Sequence, residues 1–210
     1  MIEKMGDSSD TQKIVIIKYN AGNIRSVTNA LARLGYEAEI TGDPDKIKEA
    51  DKVIFPGVGE ASTTMAYLRA TGLDEVITKL KQPVLGICLG MQLMCSYSEE
   101  GGVDCLGIFD EQVKKFQLPE PNDRNVKIPH MGWNKIANVK MPLFDGSLEG
   151  EYVYFVHSFY VAMGEDTAAT TKYIHPYSSA LQKDNFYATQ FHPEKSGSVG
   201  ERILANFLKL

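Results

Sequence analysis

The sequence of 210 residues predicts an α/β fold with a central, mostly parallel sheet and antiparallel strands added to one side. Over residues 13–95, short apolar runs alternate with segments whose apolar residues recur at helical spacing. This alternation is typical of parallel strands joined by helical crossovers. In the second half, strand-like runs follow one another with turn residues between them, which is typical of antiparallel pairing.

Parallel strands and helices are predicted for the first half. Residues 13–18 are apolar and β-branched, as in a strand buried on both faces. Asn23 is expected to cap the next helix, and Gly35 to end it. The other strands are predicted at residues 36–40, at 52–55 and in the apolar run that begins at Val84, and the other helices at 46–49, 63–69 and 73–80.

The second half is predicted to be mainly β-structure, closed by one helix. Strands are expected at residues 113–116, 133–136, 152–156, 168–173, 180–182 and 187–190, and the helix at 198–208. The sequence contains no internal repeat and no convincing linker. We therefore expect residues 13–210 to form one domain, preceded by a polar, flexible tail over residues 1–12.

Composition is that of an ordinary soluble globular protein, with 43% hydrophobic and 23% charged residues. The net charge of −5 and the lack of a basic stripe argue against a nucleic-acid partner. No apolar run is long enough to cross a membrane, and the polar N-terminus does not resemble a signal peptide. Three cysteines without Cys-x-x-Cys spacing favour the cytoplasm and predict no metal site.

Cys88 is the first candidate catalytic residue. It ends the apolar run that begins at Val84, lies midway between Gly86 and Gly90, and precedes an apolar, helix-like segment. This order is typical of a nucleophile elbow, in which we expect the glycines to permit a strained turn and close approach of a substrate. The helix start would favour a thiolate. The pattern alone leaves a buried structural cysteine open as the alternative.

His192 and Glu194 could supply the base that a cysteine nucleophile needs. His192 follows a predicted strand, and in an extended chain Glu194 would lie on the same side and could orient the imidazole. The alternative is a surface turn. A glycine-rich turn after another strand, Gly57-Val58-Gly59, could aim backbone N–H groups at an oxyanion, although most such turns are structural.

These three motifs, in this order, closely resemble the class I glutamine amidotransferases, essentially over the whole chain after the tail. The resemblance implies a three-layer fold, no cofactor and a Cys88-His192-Glu194 triad that hydrolyses L-glutamine through a thioester. It implies oxyanion stabilisation by backbone N–H groups of Leu89 and the glycine turn. The residues that it implies for glutamine binding are Gln92 and the backbone near Ser158 and Phe159.

Residues 19–27, 129–134 and 154–160 look like the glutaminase subunits of imidazole glycerol phosphate synthase, an enzyme of histidine biosynthesis. This narrower resemblance implies a heterodimer with a separate (β/α)8-barrel cyclase that receives the ammonia. The segment around Trp133 is expected either to pack in the core or to face that cyclase or the ammonia exit. His157 is expected to be a structural histidine.

Other acceptors for the ammonia remain open. Residues 18–21 depart from the Asp-Tyr-Gly pattern usual in that family, and Phe159 stands where tyrosine is frequent. A paralogue serving cell-surface sugar amination is one alternative. The glutaminase partner of pyridoxal phosphate synthase is another, because it resembles residues 59–65. A third is a catalytically silent binding module that has kept the fold.

Overall fold

The computed structural model describes residues 12–19, 24–119 and 126–210 of the chain. Most of the predicted tail and the predicted helix cap Asn23 lie outside these residues. The helices are α1 (Ile24–Arg33), α2 (Pro44–Lys48), α3 (Ala61–Thr71), α4 (Leu73–Thr78), α5 (Leu89–Met94) and α6 (Gly197–Leu208). The strands of the first half are β1 (Ile14–Ile17), β2 (Ala38–Thr41), β3 (Lys52–Gly57) and β4 (Val84–Cys88). No helix within the described ranges is long and apolar enough to span a membrane.

Nine further strands follow: β5 (Tyr97–Ser98), β6 (Val103–Asp104), β7 (Gln112–Lys115), β8 (His130–Lys135), β9 (Tyr152–His157), β10 (Phe159–Val161), β11 (Thr167–Lys172), β12 (Pro176–Lys183) and β13 (Phe186–Thr189). All the predicted strands and helices of the described residues are present, with shifts of a few residues at their ends. Three short strands, β5, β6 and β10, were not predicted, because runs of two or three residues carry little periodicity.

The central sheet has the order β2-β1-β3-β4-β13-β12-β10-β7-β5-β6, with β11 paired to β12. Strands β1 to β4 are parallel, as predicted. The expectation that all later strands are antiparallel additions is wrong for β13, which pairs parallel with β4, and for β7, which pairs parallel with β5 on one side. It is also wrong for β8 and β9, which form a separate two-stranded antiparallel sheet.

The sheet lies between two apolar layers, because alternate residues of its strands point to opposite faces. Ile14 and Ile16 of β1 pack in one layer with residues of α1 and α6, together with core residues of β9 and Ile136, which follows β8. Val15 and Ile17 pack in the other layer with residues of α3, α4 and α5. The three-layer arrangement predicted from the sequence is therefore confirmed.

Strand pairing places the functional motifs at one edge of this sheet. The last residue of β3, Gly57, lies opposite Cys88 at the end of β4, and Thr189 at the end of β13 lies opposite Ile87. His192 follows three residues after Thr189. The carboxyl ends of three neighbouring strands thus converge, as expected for a site in a parallel sheet.

Candidate active site

Cys88 occupies a strained turn between β4 and α5. Its φ of 54° and ψ of −106° are unfavourable for a residue with a side chain. The expectation that the flanking glycines supply this strained geometry is wrong, since the positive φ belongs to the cysteine. The glycines permit close packing instead. A side chain at Gly90 would overlap the Phe55 carbonyl oxygen, and one at Gly86 would lie 2.9 Å from Met94 Sδ.

The glycine turn is shorter than predicted, because Pro56 and Gly57 still belong to β3. A side chain at Gly57 would overlap the hydroxyl of Tyr19 and lie 2.8 Å from Leu89 Cβ, so this position requires glycine for space. Gly59, with φ of 138°, requires it for backbone conformation. The Tyr19 hydroxyl donates a hydrogen bond of 2.5 Å to the Pro56 carbonyl. Nothing in the local sequence singled out Tyr19 for this contact.

His192 and Glu194 lie in contact, with 2.8 Å between His192 Nδ1 and Glu194 Oε1. The expected extended geometry is wrong for Glu194, which lies in a single 3-10 turn, Pro193–Lys195. The backbone N–H of His192 donates to the Tyr154 carbonyl at 2.9 Å, which ties the segment to β9. Both side chains are almost fully buried.

The charge of His192 is set by its neighbours Cys88 and Glu194. Burial opposes a positive charge, but hydrogen bonding and charge interactions with Cys88 and Glu194 outweigh it and raise the pKa of His192 to about 10. Its Nε2 atom is buried and, within the described residues, makes no hydrogen bond of ordinary geometry. The arrangement favours a protonated His192, which is able to deliver a proton near Cys88.

Gln92 and Gln190 form a row of amides beside the nucleophile. Gln92 Nε2 donates to the Phe159 carbonyl at 3.1 Å and to Gln190 Oε1 at 2.9 Å. Gln190 Nε2 in turn lies 3.7 Å from Cys88 Sγ. Gln92 was predicted from the sequence. Gln190 was missed because it is distant from Gln92 in the sequence and comes into contact with it only in the folded chain.

A cavity of about 340 Å³ opens in front of Cys88. Its lining includes eight residues predicted from the sequence: Val58, Gly59, Cys88, Leu89, Gln92, Ser158, Phe159 and His192. Two other predicted residues, Gly57 and Glu194, are not part of the lining. Five further residues line the cavity but were not predicted as site residues: Glu100, Pro129, Val156, His157 and Lys195. The structure therefore brings the predicted site together around one cavity.

The other two thiols differ from Cys88 in their surroundings. Cys95 is fully buried, and this burial, followed by the charge of Glu111, raises its pKa well above the usual value. Burial likewise raises the pKa of Cys105 to about 12. No histidine is among the groups that shift the pKa of Cys95 or of Cys105. Among the described residues, no cluster of histidine, cysteine and carboxylate side chains could hold a metal ion.

The protein family described as glutamine amidotransferase class-I matches this chain over residues 15–210, which is nearly its whole length. The chain belongs to the class I glutamine amidotransferases. Two relatives in this family are named imidazole glycerol phosphate synthase subunit HisH. The chain is 65% identical to the one from Bacteroides thetaiotaomicron, covering 94% of this chain and 100% of the relative. It is 46% identical to the one from Escherichia coli (strain K12), covering 94% and 99%.

Solved structures show the same fold at much lower sequence identity. A putative GMP synthase component from Thermoplasma acidophilum matches with a TM-score of 0.71 and 21% identity, over 94% of this chain and 93% of that one. PurLQS from Thermotoga maritima matches with a TM-score of 0.66 and 16% identity, over 95% and 98%. The architecture is thus shared by proteins whose sequences have diverged widely from this one.

Proposed function

We propose that this chain is the glutaminase subunit of an imidazole glycerol phosphate synthase and hydrolyses L-glutamine to glutamate and ammonia. The observation that carries the proposal is that Cys88 and His192 line one cavity, while Glu194 is hydrogen-bonded to His192 Nδ1 from outside the lining. The 65% and 46% identity to subunits named HisH, over nearly the full length of both chains, supports the choice of synthase.

The first half-reaction uses the thiolate–imidazolium pair. The Cys88 thiolate attacks the side-chain amide carbon of glutamine and forms a tetrahedral intermediate. His192 then donates its proton to the amide nitrogen, the C–N bond breaks, and ammonia leaves a glutamyl thioester on Cys88. Glu194 holds the Nδ1 side of the ring, so that Nε2 carries the transferred proton.

The second half-reaction reverses the role of the histidine. His192, now neutral, removes a proton from water as the water oxygen attacks the thioester carbon. The C–S bond breaks, glutamate is released, and the thiolate and imidazolium are restored. No cofactor is required, because each proton that His192 gives in the first half is regained in the second.

The oxyanion would be stabilised by backbone N–H groups of Leu89 and of the Gly57–Val58 segment. Leu89 begins α5, and the first N–H groups of a helix have no intrahelical acceptor. Each well-placed donor contributes about 3 kcal/mol to such a transition state. Gln92 and the backbone near Ser158 and Phe159 line the same cavity and would hold the rest of the glutamine.

The ammonia would pass to a cyclase subunit with a (β/α)8 barrel, bound as a heterodimer in the cytoplasm, within histidine biosynthesis. We further propose that residues 13–210 form a single amidotransferase domain. A paralogue serving sugar amination or pyridoxal phosphate synthesis has less support, since the relatives at 46–65% identity carry the HisH name. A silent binding module has less support because the cysteine, histidine and carboxylate are all in place.

The test compares Cys88→Ala with Cys105→Ala in the complex with the cyclase. We expect Cys88→Ala to abolish glutamine-dependent synthesis while synthesis from added ammonia continues. Cys105→Ala should retain both activities, because Cys105 lies outside the cavity lining. Loss of both activities in Cys88→Ala, or survival of glutamine-dependent synthesis, would overturn the proposed function.

A further inference from the structure

Two buried histidines outside the triad, His130 and His157, form a hydrogen-bonded pair, and His157 lines the cavity. They lie opposite each other in the β8–β9 sheet, with 3.2 Å between His130 Nδ1 and His157 Nε2. The Tyr177 hydroxyl lies 3.2 Å from the first of these atoms and 3.3 Å from the second. Burial lowers the pKa of His130 to about 4 and that of His157 to about 3, so each ring is neutral and carries one N–H.

The partners of the two rings assign the position of each proton. His157 Nδ1 lies 2.6 Å from the Phe159 carbonyl oxygen, which can only accept, so Nδ1 carries the proton and Nε2 is an acceptor. His130 Nε2 faces the donor Asn134 Nδ2 at 3.4 Å and therefore accepts. The proton of His130 is then on Nδ1, which donates toward His157 Nε2. The amide orientation of Asn134 agrees, because Nδ2 also donates to the Lys172 carbonyl and Oδ1 accepts from the Lys135 N–H.

The hydrogen bonds therefore run in one direction, from Asn134 through both histidines to the Phe159 carbonyl. That carbonyl also accepts from Gln92 Nε2, the amide whose row continues through Gln190 to Cys88. The preceding carbonyl, of Ser158, accepts from the Phe116 N–H at 3.0 Å. The segment that lines the glutamine end of the cavity is thus held by the His157 ring, by Gln92 and by strand pairing.

We infer that His157, supported by His130, is a positioning residue that fixes the Ser158–Phe159 backbone against which the α-amino and α-carboxylate groups of glutamine bind. This inference rests on the proposed function. Within the described residues, the hydrogen bonds of the two rings run to each other, to Tyr177, to Asn134 and to the Phe159 carbonyl, and none runs to Cys88. Its loss should weaken recognition of the glutamine α-groups while leaving the intrinsic reactivity of Cys88 intact.

The test measures alkylation of Cys88 by two reagents, using the full chain with its cyclase partner. One reagent is the diazoketone analogue of L-glutamine, which carries both α-groups; the other is iodoacetamide, which carries neither. In His157→Leu we expect the rate with the analogue to fall about tenfold and the KM for glutamine to rise by a similar factor. The rate with iodoacetamide should stay within about twofold of wild type.

Matched variants separate positioning from folding. His157→Asn keeps an N–H donor near the position of Nδ1 and should recover the rate with the analogue to within about threefold of wild type. His130→Leu removes only the supporting donor and should lower that rate about threefold. His175→Leu changes a histidine outside the hydrogen-bonded chain and should leave both rates unchanged.

Each remaining outcome overturns the inference. Equal slowing by both reagents in His157→Leu would show a general structural role. Unchanged rates with both reagents would show that the pair positions nothing. If the wild-type complex reacts with iodoacetamide but not with the analogue, the proposed function itself fails and the positioning role fails with it.

Discussion

His192, three residues after β13, and the His130–His157 pair of the β8–β9 sheet are buried to a similar extent, but their pKa values are shifted in opposite directions. The three side chains are between 2% and 6% exposed. Burial is the largest influence on all three rings and favours the neutral form. Of the three, only His192 lies beside Cys88 and Glu194, and only its pKa is raised.

The difference shows how one residue type serves two purposes within one cavity wall. A buried histidine beside anions holds a proton that it can donate. A buried histidine among amide, hydroxyl and carbonyl groups is a neutral link whose tautomer is set by its partners. The first suits the chemical step, and the second suits the positioning of backbone. Each prediction below removes one element of this contrast.

Removing the carboxylate should have the largest effect. In Glu194→Gln, His192 keeps a polar neighbour but loses an anion, so its pKa should fall toward the neutral pattern of the other two rings. We expect glutamine-dependent kcat to fall by roughly 10² to 10⁴-fold, as for other losses in acid–base catalysis. Glu201→Gln, at a carboxylate that pairs with Arg33 on the surface, is the control. Near-normal turnover in Glu194→Gln would contradict the contrast.

The two kinds of histidine should affect protein stability at opposite ends of the pH range. The pKa of His192 is raised from 6.5 to about 10. Its contribution to the free energy of unfolding is therefore complete below pH 6.5 and is lost as the pH rises toward 10. The pKa values of His130 and His157 are lowered from 6.5, so their contributions are complete above pH 6.5 and are lost as the pH falls toward 4 and 3.

Urea denaturation across this pH range checks these signs. His192→Asn should flatten the alkaline loss of stability and leave the acid loss in place. His157→Asn should reduce the acid loss and leave the alkaline side in place. An acid limb that is identical in wild type and His157→Asn would mean that His157 is not held neutral in the folded state.

Tyr177→Phe should have the smallest effect. The variant removes a hydroxyl that lies near both neutral rings but is not needed for the directed chain from Asn134 to Phe159. We expect a loss of about 1 kcal/mol in the free energy of unfolding, typical of one buried hydrogen bond. Tyr152→Phe, at an exposed ring, should change it by less than about 0.5 kcal/mol. A loss of glutamine binding in Tyr177→Phe would show that the hydroxyl is needed for the hydrogen bonds that run from Asn134 to the Phe159 carbonyl.

The triad could be predicted from the sequence because each member lies in a local pattern. Cys88 follows a short apolar strand and precedes a helix, and His192 and Glu194 follow another strand. Parallel strands bring such ends to one edge whatever the intervening chain does. The strand before His192 was expected to be antiparallel, so that rule alone did not predict that Cys88 and His192 meet across more than 100 residues. The position of His192 after a strand and the order of the motifs carried that prediction.

The direction of β13 could not be predicted in the same way. It forms a hairpin with β12, which made the whole second half resemble antiparallel structure, yet its other edge pairs parallel with β4. Alternation of apolar and polar residues predicts that a strand exists, but it does not predict which strand will pair with it. The same limit applies to β8 and β9, whose apolar residues predicted strands but not a separate sheet.

The hydrogen-bonded histidine pair and the amide row were beyond sequence reasoning for a related reason. Gln92 and Gln190 are 98 residues apart, and His130 and His157 are 27 apart. No spacing rule links residues on different strands at such distances. His157 was expected to be structural, which agrees with its neutral state, but its contact with the Phe159 carbonyl depends on the backbone conformation between β9 and β10, which the sequence pattern did not specify.

The most direct test of this contrast is an NMR titration of the imidazole ¹⁵N resonances in the full chain between pH 5 and 10. We expect His192 to keep the imidazolium signature over most of that range. His130 and His157 should remain neutral throughout, each with its proton on Nδ1. A His192 that titrates near 6.5, or a His130–His157 pair that protonates above pH 5, would contradict the account.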